Sequence, residues 1–158
     1  MSTNRGKEFE KKIREQFKKL RNVSVDRIND NVGFKGAYNI ADLIVYRKPN
    51  KYYIELKCRK GTSFSFEGVN KDALLDMQYQ SNIRGVNCYF IVWFIDLDRT
   101  IAISAKEIYE QIHVHGRKSI GVNSFDKFEF IEVKGIKKRK YYKYDLEELL
   151  NEFDRELQ

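Results

Sequence analysis

Three residues of this chain have types and spacing suited to phosphoryl chemistry: Asp42, Glu55 and Lys57, within the stretch ADLIVYRKPNKYYIELKCR. Side chains alternate along a strand, so Glu55 and Lys57 share a face. A turn centred on Pro49-Asn50 sets Asp42 opposite Lys57 and diagonal to Glu55, within interacting range across a hairpin. Two carboxylates brought together on an apolar hairpin repel each other unless something neutralises them. A divalent cation does so, and Mg²⁺ typically takes one or two carboxylates plus waters and substrate phosphate oxygens. A lysine beside it can orient a water or stabilise charge that develops on a phosphate. The same residues also suit the solvated ends of an edge hairpin, and Glu-x-Lys alone is common. The context favours chemistry: an apolar strand on each side, one turn between, and a basic chain.

The elements that must hold these residues can be read in order. Phe9, Ile13, Phe17 and Leu20 form one stripe of a helix over 4–20, capped by Ser2, Thr3 or Asn4. Glu8 and Glu10 in its first turns suit the helix dipole; alternatively Glu10 reaches toward Asp42 and Glu55. A strand over 22–28 and a loop over 29–39 follow, with Phe34-Lys35 between Gly33 and Gly36. The hairpin strands are Leu43–Tyr46 and Tyr52–Ile54. Arg59, Lys60, Thr62 and Ser63 then leave as a basic, hydroxyl-bearing loop able to hold phosphates. A helix over 70–84 offers Leu74, Leu75 and Met77 to the core, and Gln78 could orient a water or phosphate. NCYFIVWFIDL, 87–97, reads as a central strand buried on both faces. Strand 100–103, a helix over 105–112 capped by Ser104 with Glu107, strand 128–133 and a final helix over 145–157 complete the order. Such an order describes an α/β (α+β) domain, a mixed sheet flanked by helices.

With 158 residues, 42% of them hydrophobic, the chain is most simply a single domain, 1–158, with a real core. The formal net charge of +7 suits a polyanionic partner. Cys58 and Cys88 lie far apart in apolar strands and read as reduced core residues in a cytoplasmic protein. No apolar run approaches membrane-spanning length, and the polar N-terminus is unlike a signal peptide. Two later segments add basic character. Gly116-Arg117-Lys118-Ser119-Ile120 is a glycine turn of phosphate-binding type. Lys137-Lys138-Arg139-Lys140, followed by tyrosines, suits a nucleic-acid backbone with base or sugar stacking, or a solvated hairpin tip. His113 and His115 have a metal-ligand spacing, but no cysteine or carboxylate cluster accompanies them.

These pieces together resemble the restriction-endonuclease-like PD-(D/E)XK nuclease superfamily, and within it the RecU-type Holliday junction resolvases, phage members included. The matching pieces are Arg5-Gly6 with Glu10, Asp42, Glu55-x-Lys57, Thr62-Ser63-Phe64, Gln78 and Gly116-Arg117-Lys118-Ser119-Ile120. The resemblance implies a restriction-endonuclease-like mixed central sheet. It also implies a homodimer that nicks four-way DNA junctions symmetrically during recombination, using Mg²⁺ or Mn²⁺. Asp42 and Glu55 would ligate the metal with the Leu56 carbonyl, Lys57 would serve the attacking water, and Glu10 and Gln78 would support the cluster. Arg5, Lys35, Arg59, Lys60, Thr62, Ser63, Arg117, Lys118, Lys137, Lys138, Arg139 and Lys140 would contact DNA. Ala41 stands where the superfamily often has proline. The long stalk of RecU-type resolvases corresponds here to the short 29–39 loop, with Phe34 and Lys35 as a reduced wedge. A nicking or restriction-like nuclease and a non-catalytic DNA-binding protein are the alternatives. The resemblance and the Lys-, Asn- and Ile-rich composition suggest a phage or low-G+C bacterial origin.

Overall fold

A computed structural model of the chain describes residues 2–29 and 38–158, so the Phe34–Lys35 wedge lies outside the described residues. In chain order the elements are α1 (Ser2–Lys18), β1 (Ser24–Arg27), β2 (Leu43–Arg47), β3 (Asn50–Arg59), β4 (Ser63–Ser65), α2 (Lys71–Ser81), β5 (Val86–Phe94), β6 (Arg99–Ser104), α3 (Ala105–His113), β7 (Ser119–Gly121), β8 (Ile131–Glu132), β9 (Gly135–Lys137), β10 (Tyr142–Tyr144) and α4 (Leu146–Glu156). Six strands form one mixed sheet in the order β1-β2-β3-β5-β6-β8. β3 and β5 are parallel and joined through α2; the other pairs are antiparallel.

All nine residues of β5 are buried, as the unbroken apolar run predicts for a strand covered on both faces. Tyr89, Ile91 and Trp93 pack with Phe9, Ile13 and Phe17 of α1 and Leu149, Leu150 and Phe153 of α4. Cys88, Phe90, Val92 and Phe94 face the other way, onto Leu74 and Met77 of α2 and Ile108 of α3. The two-residue alternation of the strands thus meets the 3.6-residue stripe of a helix pair on each side. The expected mixed sheet between helices is the architecture found.

Capping sets several helix starts. Asn70 Oδ1 accepts Ala73 N–H at 3.0 Å, Ser104 Oγ accepts Glu107 N–H at 3.1 Å, and Asp145 Oδ1 accepts Glu148 N–H at 3.1 Å. The expected capping box at Ser104 is only half formed, because the Glu107 carboxylate takes the Gln111 amide at 2.8 Å. Helix α1 already begins at Ser2, so Asn4 lies within it rather than capping it.

Elsewhere the structure departs from the sequence reading. The hairpin turns at Lys48-Pro49, one residue earlier than expected, because Arg47 pairs with Asn50. Leu75 is 54% exposed, since Ala73, Leu74, Met77 and Ser81 occupy the sheet-facing side of α2 and Leu75 falls off that stripe. The segment after Thr62 is not a free loop: Ser63–Ser65 pairs with Ser119–Gly121 and buries Phe64. Gly121 permits that approach, because a Cβ there would lie 2.4 Å from the Thr62 carbonyl oxygen. Only Ile131–Glu132 of the expected 128–133 strand is paired. Phe128 and Phe130 instead gather around Phe125, and the Arg99 guanidinium lies over the Phe125 and Phe130 rings.

Candidate active site

Asp42 immediately precedes β2, and Glu55 and Lys57 lie in the second half of β3. The β2–β3 ladder ends at Leu43 opposite Ile54, so its next step brings Asp42 to Glu55. This corrects the expected register, in which Asp42 faced Lys57: moving the turn one residue shifts every partner by two. Asp42 is anchored at its backbone and its side chain. Its N–H donates to the Ile54 carbonyl at 3.1 Å, its carbonyl accepts Ile28 N–H at 2.9 Å, and its Oδ2 accepts Leu56 N–H at 2.7 Å. β3 outruns β2 at this point, and the Asp42 side chain satisfies the strand N–H that the missing neighbour leaves open.

The Lys57 ammonium is 3.3 Å from Glu55 Oε1, and both side chains are largely buried. Burial pushes the Glu55 carboxyl up to about 8, helped by the charge of Asp42 and opposed by Lys57. Asp42 is also raised, by burial first, with the Leu56 N–H opposing and the charge of Glu10 adding. The charge of Glu10 therefore reaches Asp42 from α1, one of the two readings its position left open. Its carboxylate is nevertheless held by another residue, because Arg27 Nε donates to Glu10 Oε1 at 2.8 Å. Arg27 escaped the sequence reading. Its only signal is a place in β1 opposite Leu43, beside Asp42, which needs the strand register to be seen.

The donor set fits a hard divalent cation. Two largely buried carboxyls, both held toward the protonated form by burial and with Glu55 raised further by Asp42, would be relieved by a doubly charged ion with oxygen ligands. Among the described residues no three His, Cys, Asp or Glu side chains gather into an all-protein cage. A cation held by Asp42, Glu55 and the Leu56 carbonyl would therefore complete its shell with waters and phosphate oxygens, as Mg²⁺ commonly does. Gln78 is half-buried on α2 and hydrogen-bonds neither carboxyl, so the expected support from it is not formed here.

The basic residues divide into groups. Lys60, Thr62 and Ser63 are exposed beyond the end of β3, and Arg59 is half-buried with its guanidinium 5.2 Å from the Phe64 ring centre. Arg117 lies elsewhere, in a groove with Phe66, Leu74 and Tyr109 between α2 and α3; Lys118 lines the same groove. Lys137 is engaged by Asp98 at 2.6 Å, which removes it from the free cations of the β9–β10 hairpin. Lys138, Arg139 and Lys140 are exposed at the tip of that hairpin, and Arg5 is exposed at the start of α1. His113 and His115 are exposed; His113 packs on Tyr109 with ring centres 4.3 Å apart.

The sheet order and the helix pair on each face define a mixed α/β fold. Hjc, a Holliday junction resolvase of the archaeal hyperthermophile Archaeoglobus fulgidus, shares it with a TM-score of 0.55 and 14% sequence identity, over 78% of this chain and 93% of that one. D212, a nuclease from a fusselovirus, superposes more loosely, with a TM-score of 0.40 and 17% identity over 86% of this chain and 79% of the other. No protein-family model and no curated protein matches the sequence. Among the described residues no helix is long and apolar enough to cross a membrane.

Proposed function

We propose that this protein is a metal-dependent, structure-selective DNA endonuclease, a Holliday junction resolvase of RecU-like type. The observation that carries the reading is the buried Asp42–Glu55 carboxyl pair with Lys57 beside it, on the fold of a known resolvase. When bound, Mg²⁺ or Mn²⁺ supplies Lewis acidity toward a phosphodiester oxygen and lowers the pKa of water. Asp42 and Glu55 would hold the cation with the Leu56 carbonyl, and the Leu56 N–H keeps Asp42 in place. The Lys57 ammonium orients the attacking water and offsets the charge that builds on the phosphate oxygens. The water oxygen bonds to phosphorus, the bond to the 3′ oxygen breaks, and the products are a 5′-phosphate and a 3′-hydroxyl. Glu10, held by Arg27, adds negative charge that favours cation binding at Asp42.

The net charge of +7 supports a DNA partner. A homodimer would place two such sites on one junction. The exposed stripe Leu75, Tyr79 and Ile83, along α2 and just past its end, supports a self-association surface. A cytoplasmic setting in a bacterial host follows from this reading.

The test is cleavage of a labelled mobile four-way junction beside a linear duplex of the same sequence, with Mg²⁺, Mn²⁺ or EDTA, using wild type and Asp42→Asn. Paired symmetric nicks in the junction alone, absent in EDTA and in the variant, are expected. Cutting of both substrates would replace the resolvase with a general nuclease. Binding without cutting under every metal would overturn the enzyme.

A further inference from the structure

We propose that the cleft between the start of α1 and the β9–β10 hairpin binds one unpaired nucleotide through its phosphate. The proposal deepens the nuclease reading and rests on it for the identity of the polymer. The cleft has a volume of about 420 Å³ and is lined by Arg5, Trp93, Arg139, Lys140, Tyr141 and Tyr142, among others. This is the scale of a small-molecule site, too small for a duplex.

Its charge is unbalanced toward cations. Two acidic residues also line it: Asp98 is neutralised by Lys137 at 2.6 Å, while Glu8 accepts the neutral Tyr141 hydroxyl and keeps its charge, which Arg5, Arg139 and Lys140 outweigh. Arg5, Arg139 and Lys140 remain exposed and without an ion pair among the described residues. Three free cations around one small cleft fit a phosphate group.

A second observation is independent of charge. Trp93 is 6% exposed, and its indole N–H is buried with no acceptor among the described residues. An orphaned buried donor is costly, and with its nitrogen closed to solvent a ligand oxygen supplies the missing acceptor by displacing the cleft lining over it. Tyr141 and Tyr142 add aromatic faces of the kind on which single-stranded bases stack.

The cleft lies on the α1 face of the sheet: Trp93 pairs in register with Cys58, whose side chain alternates to the face opposite Lys57. It meets the candidate site through α1, where Arg5 and Glu8 line the cleft and Glu10, within one further turn, acts on Asp42. Paired DNA cannot enter the cleft, so occupancy reports an unpaired nucleotide.

Trp93 is the only tryptophan and is its own reporter. A short 5′-phosphorylated oligothymidylate is titrated into the whole protein in EDTA, and tryptophan emission is followed. A saturable change is expected. Its log K should fall by about 2 per tenfold rise in salt, from three contacts at ~0.7 each. The variant Arg139→Ala/Lys140→Ala, altered only at exposed positions, should bind at least tenfold more weakly, with a salt slope near ~0.7. A blunt hairpin duplex should leave the emission unaltered. An unmoved emission with the oligonucleotide, wild-type binding by the double variant, or an equal response to the duplex would each overturn the proposal. The nuclease reading fails separately, by absence of cleavage with any metal, because this titration needs neither metal nor turnover.

Discussion

The Asp42 carboxylate accepts the Leu56 backbone N–H at 2.7 Å, so one side chain closes the sheet and presents an oxygen to Glu55. Those two roles separate by mutation. Asp42→Asn keeps an oxygen for the N–H and should melt close to wild type, while cleavage falls by at least about 10³-fold, as expected when a charge-bearing catalytic group is neutralised. Asp42→Ala also strands the N–H and should lose a further ~1–3 kcal/mol of stability. Paired melting curves and cleavage rates check both. Loss of folding in Asp42→Asn would show that the charge itself closes the sheet.

The Glu55 carboxyl gives the metal-free protein a pH dependence of stability. Its pKa is raised from 4.5 to about 8 in the folded chain by burial and by Asp42. Between those values the folded state keeps a proton that the unfolded state has released. Stability therefore falls as pH rises through this window, by up to ~1.4 kcal/mol per pH unit. Thermal melts in EDTA from pH 5 to 8 should show a declining midpoint. Glu55→Gln should flatten that decline, and the midpoint gained on adding Mg²⁺ should grow with pH. An equally steep decline in Glu55→Gln would assign the effect to another group.

Lys57 touches Glu55 at 3.3 Å, and its removal separates binding from chemistry. Lys57→Met keeps much of the side-chain volume and deletes the charge. Cleavage under saturating DNA should slow by about 10²–10³-fold, the usual loss when one electrostatic stabiliser is removed. Junction affinity should change by only a few-fold, because the rest of the basic surface is untouched. Single-turnover cleavage beside a binding titration checks this, and an equal loss in both would make Lys57 a binding residue.

The fold was legible because its signals are periodic. The stripe Phe9, Ile13, Phe17, the apolar run of β5 and the cap Ser104 each carry their own physics locally. Asp42, Glu55 and Lys57 were visible for the same reason: two strands and one turn connect them. What was hidden depends on long-range register. A turn displaced by one residue changed the partner of Asp42 from Lys57 to Glu55. Arg27 meets Glu10 across 17 residues, and β4 meets β7 across more than 50, so no local pattern announces either pair. Lys137 read as a free cation because its partner, Asp98, lies 39 residues away. The orphaned N–H of Trp93 is a property of packing, which residue type alone does not carry.

Asp154 is a structural hub that should matter to stability and not to cleavage. Arg47 donates to its Oδ2 at 2.6 Å, Asn50 donates to its Oδ1 at 2.9 Å, and the Tyr52 hydroxyl donates to that same oxygen. The three donors come from β2 and β3, so the cluster ties α4 to the hairpin that carries the candidate site. Burial raises the Asp154 carboxyl, but the hydrogen bonds from Tyr52, Asn50 and Arg47 outweigh it and hold the group below its ordinary range. Its contribution is therefore present above the ordinary carboxylate range and lost as pH falls through the depressed folded value. Asp154→Ala should destabilise by about 2 kcal/mol at neutral pH, because it leaves partly buried donors without an acceptor. The deficit relative to wild type should shrink in acid, where the native carboxylate is itself protonated. Cleavage per folded molecule should stay near wild type at temperatures well below the melt, since Asp154 donates nothing to Asp42, Glu55 or Lys57. Chemical denaturation at neutral and acidic pH, with a cleavage assay on the same preparations, measures all three. A variant of unchanged stability would mean that the donors find water instead. A folded variant with lost cleavage would mean that α4 sets the hairpin register that the metal ligands require.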